Sequence, residues 1–157
     1  MKYVVGSSGI SRTMFQAFIN DISNDFVPSL LGEQTVDSLL ERVRKHSTSV
    51  FCIAGNELIG MAETILYEES SNVYIKLLGV DRKHRNMGIA TELILKTIAE
   101  TQSLGMKKVS VHTNNQYALQ LYQNIGFETL FITLLEDMQD PYTHRHYLEY
   151  IVAPSKF

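Results

Sequence analysis

The chain has 157 residues, 45% of them hydrophobic and 20% charged, which suits a single domain over 1–157 with a sizeable core. A net charge of −3 with no basic stripe argues against nucleic acid as the main partner. No apolar run is long enough to span a bilayer, the opening MKYVVGSSG has no signal-peptide core, and the single Cys52 excludes internal disulfides, so a cytoplasmic protein with no membrane partner is expected.

In chain order, Lys2 to Val5 reads as a short edge strand that Gly6 to Gly9 breaks. Ser11 can cap a helix whose apolar face is Met14, Phe15, Phe18, Ile19 and Ile22. Ser23 to Gly32 holds Asn24, Asp25, Pro28 and Gly32 and reads as a loop. Its Phe26, Val27, Leu30 and Leu31 either tuck under the core or line a substrate pocket. Thr35 caps a second helix with Val36, Leu39, Leu40 and Val43 on one face. Ser49 to Ala54 and Glu57 to Glu68 form a hairpin about Gly55-Asn56. Cys52, between Phe51 and Ile53, reads as a small buried side chain.

The next stretch organises the chain. Asn72 to Val80 is a strand, and Ile89, Leu93, Ile94 and Ile98 recur at helical spacing up to Ser103, with Gly105 as a stop. Between them lies Arg85-Asn86-Met87-Gly88-Ile89-Ala90. The first N–H groups of a helix lack partners and carry partial positive charge, and small residues let a ligand approach the backbone, so a phosphate or pyrophosphate fits here. The stretch is not a Walker loop, since Gly-Lys-Ser/Thr is absent, and Gly79 to Gly88 is too long a gap for a dinucleotide fingerprint. Lys107 to Thr113 is a further strand, which makes a βαβ unit with two parallel strands. Asn114 or Asn115 caps a helix through Ala118, Leu121, Tyr122 and Ile125, which Gly126 ends. Phe127 to Leu135 and His144 to Val152 are the last strands, joined by a loop with Asp140-Pro141. The order β-α-α-β-β-β-α-β-α-β-β describes a mixed α/β sheet.

Gly79-Val80, then Arg85-x-x-Gly88-x-Ala90, then Asn115-x-x-Ala118-x-x-Leu121-Tyr122-x-x-x-Gly126-Phe127, in that order, resemble the GNAT superfamily of acetyl-CoA-dependent N-acetyltransferases. The resemblance implies a central, mostly antiparallel sheet with a splayed parallel pair and helices on both faces. It implies acetyl-CoA as acyl donor, an amine as partner, and no metal. The pyrophosphate would rest on Arg85, Asn86, Met87, Gly88, Ile89, Ala90 and Thr91. Leu78 and Val80 would contact the pantetheine arm, the N–H of Leu78 would face the thioester oxygen, and Asn115 would also touch the cofactor. Tyr122 matches the position that often protonates the leaving thiolate.

An attacking amine must lose a proton, and the tetrahedral oxyanion needs a donor. Some members place a Glu in the strand before the loop, but Val73 to Leu78 holds no acid. Glu63 is a substitute base, His112 is another, and a water relay is a third option. The plainer readings make Tyr122 a core residue, Arg85 a solvated charge, Glu63 an outward strand residue and His112 a packed or exposed one. His144 and His146 share a strand face with no third metal ligand in view. Asp21, Asp25, Glu63, Glu68 and Glu69 could hold a cationic acceptor. The leading function is acetyl transfer to a primary amine; the alternative is a CoA-binding sensor or interaction module of the same fold. In similar proteins the last strands often form a dimer interface, so a homodimer stays open.

Overall fold

A computed structural model describes residues 1–26, 29–134 and 144–154, with Glu33 by its backbone alone. The strands are β1 (Lys2–Val5), β2 (Val50–Ala54), β3 (Glu57–Tyr67), β4 (Asn72–Val80), β5 (Lys108–Thr113), β6 (Glu128–Leu134) and β7 (His144–Ile151). The helices are α1 (Arg12–Ile22), α2 (Leu30–Glu33), α3 (Val36–Arg44), α4 (Ile89–Ser103) and α5 (Gln116–Ile125). Hydrogen-bonded neighbours follow the order β1-β2-β3-β4-β5-β7-β6. The β4–β5 pair is parallel, while β1–β2, β2–β3, β5–β7 and β6–β7 are antiparallel. The expected mixed, mostly antiparallel sheet with one parallel pair is therefore present.

Three details depart from the sequence reading. The stretch after α1 is not a plain loop, since it holds a 3-10 turn at Ser23–Asp25 and the one-turn helix α2. A second 3-10 turn, Arg82–His84, sits between β4 and α4. Neither kind of element is long enough to show a period. Phe127 precedes β6 instead of starting it. Val27 and the Asp140-Pro141 loop lie outside the described residues.

The chain divides into two compact units, one of Met1–Ile65 with Leu77–Thr97, the other of Leu66–Lys76 with Ile98–Phe157. In the first, Ser11 caps α1 by accepting from the Met14 N–H, and Thr35 and Ser38 form a reciprocal capping box on α3. Their apolar stripes bury Phe15, Phe18, Ile22, Leu39 and Val43 against Phe51, Ile53, Met61 and Leu77 of the strands. Phe26, Leu30 and Leu31 pack, partly buried, on the same cluster, which accounts for apolar residues in that connection. Each fully buried side chain of this kind contributes about 1.5–3 kcal/mol.

Side chains alternate along a strand, so Val50 and Cys52 point to the opposite face. There they meet Ile59, Ala62 and the first turns of α4 through Ile89 and Leu93, with Leu78 and Val80 alongside. Gly60 permits that approach: a Cβ on it would lie 2.9 Å from Ile89 Cγ2. The start of α4 is thus seated on the strands by its own first apolar residue. Cys52 is fully buried, and burial pushes its thiol up, so it is no nucleophile.

The second unit joins the start of β4 to β5, β7 and β6. The parallel register runs from Asn72↔Lys108 to Ile75↔Val111, and both strands continue past it. Buried Ser110 donates to Asn72 Oδ1 at 2.8 Å across this pair. Asn115 caps α5 by accepting from the N–H groups of Tyr117 and Ala118. Gly126 ends it at φ +124°, and Phe127 then packs edge-on to Tyr122 and against Tyr150.

Candidate active site

In the first unit, Asp81 N–H bonds Ile59 O and fixes the end of β4. Asn86 (φ 61°) and Gly88 (φ 80°) both take left-handed backbone, which turns the chain into α4. The first helical bond there is Glu92 N–H to Gly88 O. The amides of Ile89, Ala90 and Thr91 precede it and have no acceptor within the helix. Nothing lies within 4 Å of a Cβ built on Gly88, so space for a ligand adjoins this backbone. An anion suits that chemistry. Arg85, half-exposed, donates through Nε to Val80 O at 3.3 Å and pairs with Asp25. Asp25 also lies 3.7 Å from the Arg82 guanidinium, and Asp21 Oδ2 accepts the Arg82 N–H at 2.8 Å. The loop is therefore fastened to the end of α1 by two carboxylates.

Glu63 does not face solvent, contrary to its plainer reading: it is 0% exposed on β3. Arg42 of α3 donates to both its oxygens, each at 2.7 Å. Removing one partner of a buried pair leaves an uncompensated charge and costs about 3–5 kcal/mol. Arg42→Met is expected to lose stability of about that size in urea unfolding, and Arg42→Met with Glu63→Met to regain much of it.

The second unit brings Tyr74 and His112 together. The Tyr74 hydroxyl and His112 Nδ1 are 2.9 Å apart. His112 also packs at 4.8 Å between ring centroids on Tyr147, on which Phe131 stacks at 4.7 Å. Burial, then Arg145 and then Lys76, hold the His112 imidazole below the usual histidine value, which favours its neutral form. Tyr122 is buried, and burial with nearby Tyr74 pushes its phenol well above the usual value. Asn115 spends its carbonyl oxygen on the α5 cap, which leaves its amide N–H donors for other use. Thr113, Asn114, Asn115, Gln116, His144 and His146 line a cavity of about 60 Å³. Among the described residues no three His, Cys, Asp or Glu side chains converge as metal ligands.

A sequence model of the Acetyltransferase (GNAT) family matches residues 15–127. The chain belongs to the GNAT acetyltransferase family. N-alpha-acetyltransferase 30 of Xenopus laevis is 41% identical over 56 residues, which is 34% of this chain and 20% of that protein's length. Ard1 from Thermoplasma volcanium shares the fold, with a TM-score of 0.77 at 17% identity over 97% of both chains. An aminoglycoside 6'-N-acetyltransferase solved with coenzyme A does so at a TM-score of 0.79 and 12% identity, over 100% of both.

In this GNAT chain the sequence signalled the loop, Asn115, Tyr122 and His112, but not Tyr74. A Tyr in a strand has no local mark, and its partner lies 38 residues away. The parallel pairing was the usable signal, since it sets β4 beside β5. Of the five acids read as a pocket for a cation, three are otherwise engaged, since Asp21 and Asp25 hold the loop and Glu63 holds Arg42, while Glu68 and Glu69 are exposed in the turn after β3.

Proposed function

We propose that the protein transfers the acetyl group of acetyl-CoA to a primary amine by direct attack in a ternary complex. The carrying observation is the family match over residues 15–127, joined to an open loop at the start of a seated helix. Residues Arg85 to Thr91 would hold the pyrophosphate, with Leu78, Val80 and Asn115 as further contacts. The donor supplies an acyl group activated as a thioester.

The chain's own groups then divide the proton work. His112 is the base, in the tautomer whose Nδ1–H donates to the Tyr74 oxygen and leaves the Nε2 lone pair for the amine proton. Tyr74 is a positioning residue. Glu63 serves stability in this reading, because Arg42 occupies both its oxygens. The Leu78 N–H is the donor for the oxyanion. Tyr122, held protonated by its burial, donates to the leaving sulfur. The amine proton would pass to His112 as the N–C bond forms, the C–S bond would then break with the Tyr122 proton going to sulfur, and the proton held by His112 would return to the Tyr122 oxygen through solvent.

Thermal or denaturant unfolding with and without acetyl-CoA tests the donor. At 100 times the dissociation constant it should stabilise the chain by about 2.7 kcal/mol. A shift would send the protein to an amine screen. No shift with acetyl-CoA, CoA or other acyl-CoAs would defeat the proposal, and a shift without turnover of any amine would leave the binding-module reading.

A further inference from the structure

The face that carries the Tyr74–His112 pair also carries the charges an acceptor would meet. Side chains alternate, so Tyr74 and Lys76 share a face on β4, Ser110 and His112 on β5, and Arg145, Tyr147 and Glu149 on β7. The registers Tyr74↔Ser110 and His112↔Tyr147 set these on one surface. Lys76 and Arg145 are exposed there, as is Phe131 beside them. Both cations are near enough to disfavour a proton on His112, and Arg145 also reaches the Tyr74 hydroxyl. Two acids share this face: Glu149, which is engaged by Lys108 at 2.8 Å and by the Tyr147 hydroxyl at 2.7 Å, and exposed Glu128, which lies opposite Glu149 and so one face position further from His112 than Tyr147. The charges that act on His112 itself, Arg145 and Lys76, are both positive. Asp25 and Glu63, which could have held a cation, are paired with Arg85 and Arg42, and Asp21 accepts the Arg82 backbone N–H.

We infer that the acceptor is an amine that carries a carboxylate close to its amino group, with Lys76 and Arg145 holding the carboxylate beside His112. This rests on the acetyltransferase reading above. It selects against polyamines and other polycations, because like charges meet at the base. The stacked Phe131 and Tyr147 rings offer an apolar shelf for the rest of the acceptor. A free amino acid and a peptide with an acidic side chain near its N-terminus both supply this chemistry.

The test is kcat/KM with acetyl-CoA for the whole chain, using peptides that begin Ala-Glu, Ala-Gln or Ala-Lys, free glutamate, and a linear triamine. The Glu peptide or glutamate should exceed the Gln peptide by about tenfold, mainly through KM, with the triamine last. Free glutamate leading would identify the amino-acid source, and the Glu peptide leading the peptide source. Lys76→Glu with Arg145→Glu should reverse the order of the Glu and Lys peptides. In the wild type, raising the salt should narrow the gap, a readout that needs no variant. A preference for the Lys peptide or the triamine, or an order unchanged by salt and by the double variant, overturns the inference alone. No turnover of any acceptor overturns the acetyltransferase reading with it.

Discussion

The variant Gly88→Glu is expected to lose measurable affinity for acetyl-CoA while remaining folded. A carboxylate about 4 Å from a phosphate charge costs about 4 kcal/mol at the dielectric typical of a protein surface, roughly a thousandfold in Kd. The φ of 80° adds strain for any side chain. Gly88→Asn separates the two effects, because Asn tolerates left-handed backbone and brings no charge. Calorimetry should show a much smaller loss for Asn than for Glu, with circular dichroism unchanged in both. Unchanged affinity in Gly88→Glu would remove the phosphate-loop assignment.

His112→Gln should lower kcat by about 10²–10⁴, the range for loss of a general base. The amide can keep the hydrogen bond to Tyr74, and acetyl-CoA should still stabilise the variant. The pH profile distinguishes a base from a packing residue. Burial, Arg145 and Lys76 all favour neutral imidazole, so the wild-type acid limb of kcat/KM should lie below the ordinary histidine value of about 6.5. Above that limb the base is present; as pH falls through it, the base is lost. In His112→Gln the limb should vanish. Equal turnover would return the proton transfer to a water relay.

What the sequence disclosed follows from range. Caps at Ser11, Thr35 and Asn115 act within three residues, and the structure uses all three. The apolar stripes of α1, α3 and α5 are equally local. The parallel β4–β5 pair was also legible, because a strand, a helix and a strand admit few connections. The one-turn elements at Ser23–Asp25 and Leu30–Glu33 were not, having no period to read. The plainer reading of Glu63 as an outward residue fails because alternation gives two faces without saying which is buried, and its partner Arg42 lies 21 residues away on a helix. His112 stood out by residue type, but its tie to Tyr74 needed a register that no local pattern fixes.

Asp25, which engages Arg85 and sits near Arg82, gives the loop an internal counterion before any ligand arrives. An incoming phosphate does not meet a bare cation there; it exchanges one anionic partner for another. The net Coulomb gain at Arg85 is smaller than its charge suggests. In return the loop already holds its shape, so little chain entropy is lost on binding. Affinity should then come more from the fixed amides of Ile89 to Thr91 than from the arginine, and depend only shallowly on salt.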